Sequence, residues 1–198
     1  MIKSTFGVFD PFWEKHPLHL IISDLSDDFT NDDDMSMVNA LSVIRSILDN
    51  NSLIDTTKGL FTMLDSGNWR VHVLVVVILI MDIKFRTEEV FSLIRARIRV
   101  GTWASPQLLV VLNAYDNQFP QNMMDVLDDS FEIRGYVNLD NTSKLGSNAF
   151  IKEQSQKVKS AMQWLINNKF EADNEGMKMA KSWSIRLLQI QEYLDKKN

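Results

Sequence analysis

Any catalysis in this chain has to start from its titratable side chains, and the histidines come first because an unperturbed imidazole changes charge near neutral pH. There are three: His16, His19 and His72. His16-Pro17-Leu18-His19 brings two of them together, and Asp10 or Glu14 would be needed to complete a metal site. Pro17 disfavours the helix on which that spacing would set both rings on one face, so no metal is expected there. His72 lies in an apolar segment one helical turn from Trp69, and it reads as a satisfied buried or edge histidine rather than a general base. Six aspartates, Asp24, Asp27, Asp28, Asp32, Asp33 and Asp34, fall within eleven residues. They lack the glycine and the spacing of a calcium loop, and read as a solvated loop that puts negative charge before the next helix. No Gly-x-Ser-x-Gly, Gly-x-x-x-x-Gly-Lys or His-Glu-x-x-His occurs, and there is no cysteine to serve as thiol nucleophile or zinc ligand. Most carboxylates sit in solvated runs, with none paired across an evident cleft. The expectation is a chain without catalytic residues, cofactor, metal or small-molecule substrate.

The remaining charged residues are candidates for recognition. Arg95 and Arg99 fall four apart on the outer face of a helix predicted over 88–99. Asp125, Asp128 and Asp129 fall on the outer face of a helix predicted over 121–131. The formal net charge of −5 is distributed in bands: −7 over residues 1–65, +3 over 66–104, −4 over 105–149 and +3 over 150–198. Phosphate binding wants a continuous basic stripe, so the bands argue against nucleic acid. That holds even though Arg86, Arg95, Arg97 and Arg99 cluster and Trp69 and Trp103 are possible stacking groups. A protein partner with complementary charged patches suits the bands better.

These helices need a core to hold them. Residues 73–81 are nine consecutive apolar side chains, the longest such run. A bilayer needs about 20, and Arg70, His72, Asp82 and Lys84 flank the run, so no membrane span is expected. Val75, Val76, Val77, Ile78 and Ile80 are β-branched and favour a strand locally. An internal repeat decides for a helix. At an offset of 34 residues and without a gap, Gly67 falls on Gly101, Trp69 on Trp103, Leu74 on Leu108, Val76 on Val110, Asp82 on Asp116 and Phe85 on Phe119. In the second copy Ser105-Pro106 reads as an N-cap followed by proline at the first helical position. Leu108, Leu109, Leu112 and Tyr115 then recur at helical spacing. Helices are therefore predicted over Trp69–Met81 and Ser105–Tyr115, with both tryptophans assigned to the core by their recurrence.

A period near 34 is the size of one helix–turn–helix unit in a stacked array. The chain divides on that basis into an N-terminal cap (1–31), a diverged helix pair (35–65), two clear repeats (66–99 and 100–133), an inserted loop (134–149) and a C-terminal helix pair (150–198). In the diverged pair, helices are predicted over 35–48 and over 53–64, the second with an interruption near Gly59. Asp82-Ile83-Lys84-Phe85, Asp116-Asn117-Gln118-Phe119 and Asn167-Asn168-Lys169-Phe170 read as one form of connecting turn. The last helix, 177–194, shows Ala180, Trp183, Leu187, Ile190 and Leu194 as its inward stripe.

Trp69-Arg70-Val71-His72, opening an apolar helix after Asp65-Ser66-Gly67, resembles the HEAT-type α-helical repeat over about residues 35–131 and 150–196. The second unit departs from that pattern, with Ala104-Ser105-Pro106 in place of Arg70-Val71-His72. The resemblance implies an all-α fold, an α-α superhelix of stacked antiparallel helix pairs whose second helices form the recognition surface. The absence of catalytic groups, of cysteine and of a signal-peptide core points to a cytoplasmic, non-catalytic protein-binding module, of the kind that neutralises a toxin or nuclease. A nucleic-acid-binding or DNA-repair protein of the same architecture is the alternative.

Overall fold

Burial, rather than local propensity, decides the conformation of the valine-rich run. The computed structural model describes residues 5–14, 18–23, 25, 29, 34, 36–135, 147–168 and 174–197. In it, Trp69–Met81 is an α-helix in which every residue from Val71 to Met81 is buried. A β-branched residue in a helix costs at most about 0.7 kcal/mol relative to alanine, whereas burying its side chain contributes roughly 1.5–3 kcal/mol. Nine helices run in the order α1 (Asp10–Glu14), α2 (Leu18–Ile21), α3 (Met37–Asn50), α4 (Leu53–Asp65), α5 (Trp69–Met81), α6 (Glu88–Val100), α7 (Ser105–Tyr115), α8 (Asn148–Asn167) and α9 (Glu175–Lys197), among the described residues. Short 3-10 segments fall at Gly7–Phe9, Ile83–Phe85 and Gln121–Leu127. No strand occurs among the described residues, and none of their helices is long and apolar enough to cross a membrane.

Helix starts follow the side chains that satisfy their first N–H groups. Ser36, Ser52, Thr87 and Ser147 each accept from the backbone N–H three residues on, and Asn68 accepts from Arg70 N–H at 3.1 Å. Helix α7 begins differently from its sequence signature. Its N-cap is Ala104, and Ser105 donates from its hydroxyl to the Thr102 carbonyl at 2.7 Å instead of accepting at the helix start. The end of α5 is closed by two arginines from outside the helix. Arg45 donates to the Met81 carbonyl, and Arg86 donates to those of Leu79 and Ile80, which answers three of the last four carbonyls that a helix leaves unpaired.

Packing centres on α5, which is flanked by α2, α4, α7 and α9. The helices α5, α7 and α8 lie side by side in chain order, as the first helices of successive repeats would. Helix α9 then runs across both α7 and α5. That contact skips a unit, whereas units of a strictly one-dimensional array touch only their neighbours. The aromatic N-terminal segment is a working part of the core: Phe6, Phe9 and Phe12 are buried, and the Gly7–Phe9 turn packs on α4. Gly59 does not interrupt α4. A Cβ there would stand 2.8 Å from a Phe9 ring carbon, so the missing side chain is what lets the segment close.

Three expectations are corrected. Residues 121–131 do not form an α-helix; a 3-10 segment ends at Leu127, followed by a turn in which Asp128 accepts from Ser130 N–H at 2.8 Å. Such local side-chain bonding offers the backbone an alternative to helix. Trp103 is not core: α7 starts two residues after it, leaving it 47% exposed in the preceding turn. The turns after α5 and α7 are alike, with Phe85 N–H donating to Asp82 and Phe119 N–H to Asp116 through the backbone, but the third differs. There α8 runs on through Asn167 and ends on Asn168 in the left-handed conformation (φ 52°). His16, most of the acidic run, the inner part of the inserted loop (136–146) and Phe170 lie outside the described residues.

Candidate functional site

Arg95 and Arg99 leave α6 one turn apart, yet they enter different environments. Arg95 is only 8% exposed. One of its terminal nitrogens donates to the buried Asp116 carboxylate at 2.6 Å and the other to Glu88. Asp116 closes α7 and also accepts from Gln118 N–H at 2.9 Å. Arg95 is therefore a tie between α6 and the end of α7, and its expected place on the outer face is corrected. A residue facing outward on an isolated helix is covered here by the turn after α7.

Arg99 stands at the surface. Its Nε and Nη2 donate to the two carboxylate oxygens of Asp125 at 2.9 and 2.7 Å, a bidentate pair. Nη2 also donates to the Asn122 carbonyl at 2.8 Å, an acceptor that an α-helix would have used for residue 126. The same pairing thus positions Asp125 and accompanies the 3-10 form of its segment. Hydrogen bonding from Arg99 is the main reason that the Asp125 carboxyl is held below the usual range. Asp128 and Asp129 are exposed beyond it. Bonds from the Ser130 hydroxyl and N–H hold the Asp128 carboxyl low, and Lys159 donates to the Asp129 carbonyl at 3.0 Å.

A cleft of about 280 Å³ opens beside these residues, lined by Ser92, Arg95, Ala96, Arg99, Val100 and Arg134. Arg134 opens the segment that the sequence marks as an inserted loop. Its backbone N–H donates to the Arg99 carbonyl at 3.1 Å, and Gly135 N–H donates to that of Val100 at 2.7 Å, so this irregular segment answers the last carbonyls of α6. The Arg134 side chain is exposed and forms no ion pair with the described residues. Nothing in helical periodicity signals this residue, because its position depends on pairing with Arg99, 35 residues away. The structure thus brings Arg99 and Arg134 to one cleft with Arg95 in its wall, pairs Asp125 with Arg99, and leaves Asp128 and Asp129 exposed in the turn that follows. Charge-assisted hydrogen bonding to a carboxylate or phosphate is the chemistry available to such a cleft.

His72 takes no part in that surface. It is fully buried, with Nδ1 2.7 Å from the Thr102 hydroxyl and Nε2 3.0 Å from the Ser66 carbonyl. A carbonyl can only accept, so Nε2 carries the proton and Nδ1 accepts from Thr102. Burial first, and the Arg97 charge second, push its pKa down to about 3. Arg97, which donates to the same Ser66 carbonyl at 3.1 Å, is lowered to about 10 by burial against the opposing influence of Asp65. His72 is therefore a neutral structural link between the turn before α5 and the turn before α7, as its sequence setting suggested. Among the described residues no group of three His, Asp or Glu side chains is arranged to hold a metal ion. No family model, curated protein or solved structure matches the chain.

Proposed function

We propose that this chain is a cytoplasmic, non-catalytic protein-binding module, a HEAT-like superhelix of stacked antiparallel helix pairs, of the immunity type that neutralises a cognate toxin or nuclease. The observation that carries this reading is the arginine-lined cleft of Arg99 and Arg134, with Asp125 paired to Arg99 and with Asp128 and Asp129 exposed in the turn that follows. Opposite charges held at fixed positions on one surface select a partner with the complementary arrangement and speed its encounter. Arg134 supplies a cation that the described residues leave without an ion pair, and Asp125 is preorganised by its bidentate bond. Affinity capture from the organism that encodes the chain, at low and at high salt, tests the proposal. Recovery of one protein whose retention weakens with salt is expected; failure to retain any protein counts against it.

A nucleic-acid-binding or DNA-repair role is favoured by one observation. Trp103 is half exposed beside Phe150, with its ring 5.0 Å from the Lys157 ammonium, and an exposed ring next to a cation is what base stacking uses. Fluorescence titration with duplex and single-stranded DNA separates the two readings. Quenching of Trp103 at low salt supports this second one, and no change at low salt removes it.

A further inference from the structure

Two cationic side chains meet at the far end of α5, away from the Arg99 surface. Arg45 from α3 and Arg86 from the turn after α5 are both half-buried, and neither forms an ion pair with the described residues. A guanidinium has five N–H donors. Arg45 gives one of them to the Met81 carbonyl at 3.3 Å. Arg86 gives Nε and Nη2 to Leu79 and Ile80 at 2.7 and 3.0 Å, and its Cζ lies 3.6 Å from the centre of the Tyr115 ring. The Tyr115 hydroxyl is in turn fixed by Gln191 at 2.8 Å.

Two adjoining cavities open onto these arginines. One, of about 290 Å³, is lined by Leu41, Ser42, Arg45, Met81, Tyr193 and Leu194, with Lys197 at its edge. The other, of about 330 Å³, adds Ile80, Arg86, Gln191 and Asp195. Arg45, Met81 and Leu194 belong to both. The result is a trough with an apolar half along Leu41, Met81 and Leu194 and a more polar half at Arg86, Gln191 and Asp195, Arg45 standing where the two join; the second cavity alone falls at the lower end of the size range of small-molecule sites.

We infer that this trough binds a small amphipathic monocarboxylate, with its carboxylate on Arg45 and Arg86 and its apolar body along Leu41, Met81 and Leu194. Charge favours a single negative group. The helix end contributes roughly half a negative charge against two guanidinium charges, and Asp195 and Lys197 at the rim oppose each other. A neutral ligand would leave the spare N–H donors of Arg45 without an anionic acceptor, and a bare inorganic anion would leave the apolar walls unused. This inference is independent of the protein-binding reading, since it involves none of the residues on the Arg99 surface.

Decanoate, below its aggregation threshold, is the probe, with decanol as the uncharged control. Binding is followed by calorimetry and by the NMR shifts of the Met81 and Leu194 methyl groups. Decanoate is expected to bind at least tenfold more tightly than decanol. Arg45→Gln should abolish that preference while leaving decanol binding in place, which separates loss of the anion contact from loss of the fold. Ser42→Trp, at an exposed position on the rim, should block both ligands. Equal affinity for decanoate and decanol, no binding of either, or an unchanged preference in Arg45→Gln would overturn the inference.

Discussion

Residues 66–99 and 100–133 share a turn and diverge in what that turn holds. In each, an aspartate ends the first helix and accepts from the N–H two residues on: Asp82 from Lys84 at 3.0 Å, and Asp116 from Gln118 at 2.9 Å. The spare oxygen of Asp82 faces Lys84 at 3.9 Å, in a long pair whose lysine end is solvated. That of Asp116 is buried against Arg95 at 2.6 Å. The first unit follows its turn with a full helix, α6, and the second with a 3-10 segment. The shared residues therefore specify the turn, and the partner across the turn specifies whether it becomes a joint between helices. The second copy has become the joint, and its second element is free to carry charged side chains at the surface.

The largest test of this difference compares the two aspartates. Asp116→Ala leaves Arg95 with one exposed partner, Glu88, and breaking a buried pair in this way typically costs about 3–5 kcal/mol. Asp82→Ala loses a turn-capping acceptor and should cost about 1 kcal/mol. Urea denaturation of both variants checks the ranking. Comparable losses would mean that the buried pair is not what joins the units.

Next in size is the pH dependence of His72, whose counterpart in the second unit is Pro106. Its folded pKa, about 3, lies below the unfolded value of 6.5. The unfolded chain therefore takes up this proton first as pH falls. Stability from this group is fully present above pH 6.5 and is lost progressively as pH drops through that value towards 3. At about 1.36 kcal/mol per pH unit, wild type should lose roughly 3 kcal/mol more than His72→Gln between pH 7 and pH 4. Parallel denaturation curves at the two pH values provide the check. A smaller effect is expected at the aligned glycines. Gly101 has φ 111°, and a Cβ there would lie 2.7 Å from Ile133 Cδ1. Gly101→Ala should cost about 2 kcal/mol. Gly67 is exposed and does not adopt positive φ, so Gly67→Ala should stay within about 0.5 kcal/mol. Thermal melts distinguish them. The smallest effect belongs to Asp125→Ala, under about 1 kcal/mol because its pair with Arg99 is partly solvated.

Much of this architecture is legible in sequence where local chemistry and the repeat agree. Helices α5 and α7, the inward stripe of α9 and the buried role of His72 all follow from residue type and spacing. Three features do not. Burial of Arg95 depends on Asp116, 21 residues away, and a helical wheel shows only its neighbour Arg99. The 3-10 segment hides because Met123, Met124 and Leu127 fit a helical stripe. The structure instead buries Met123 and Val126, at the three-residue period of a 3-10 turn, and leaves Met124 51% exposed. Arg134 is brought to the cleft by backbone pairing with the end of α6, a contact that no local pattern encodes.

If Arg95 joins the units while Arg99 and Arg134 recognise a partner, the decisive measurement is affinity capture with a folded Arg99→Glu, Arg134→Glu double variant beside wild type. Circular dichroism and urea denaturation establish that both proteins are folded. The account predicts that wild type retains a specific protein at low salt and that the double variant loses it while keeping most of its stability. Retention of the same protein by both, or capture of none by either, would contradict it.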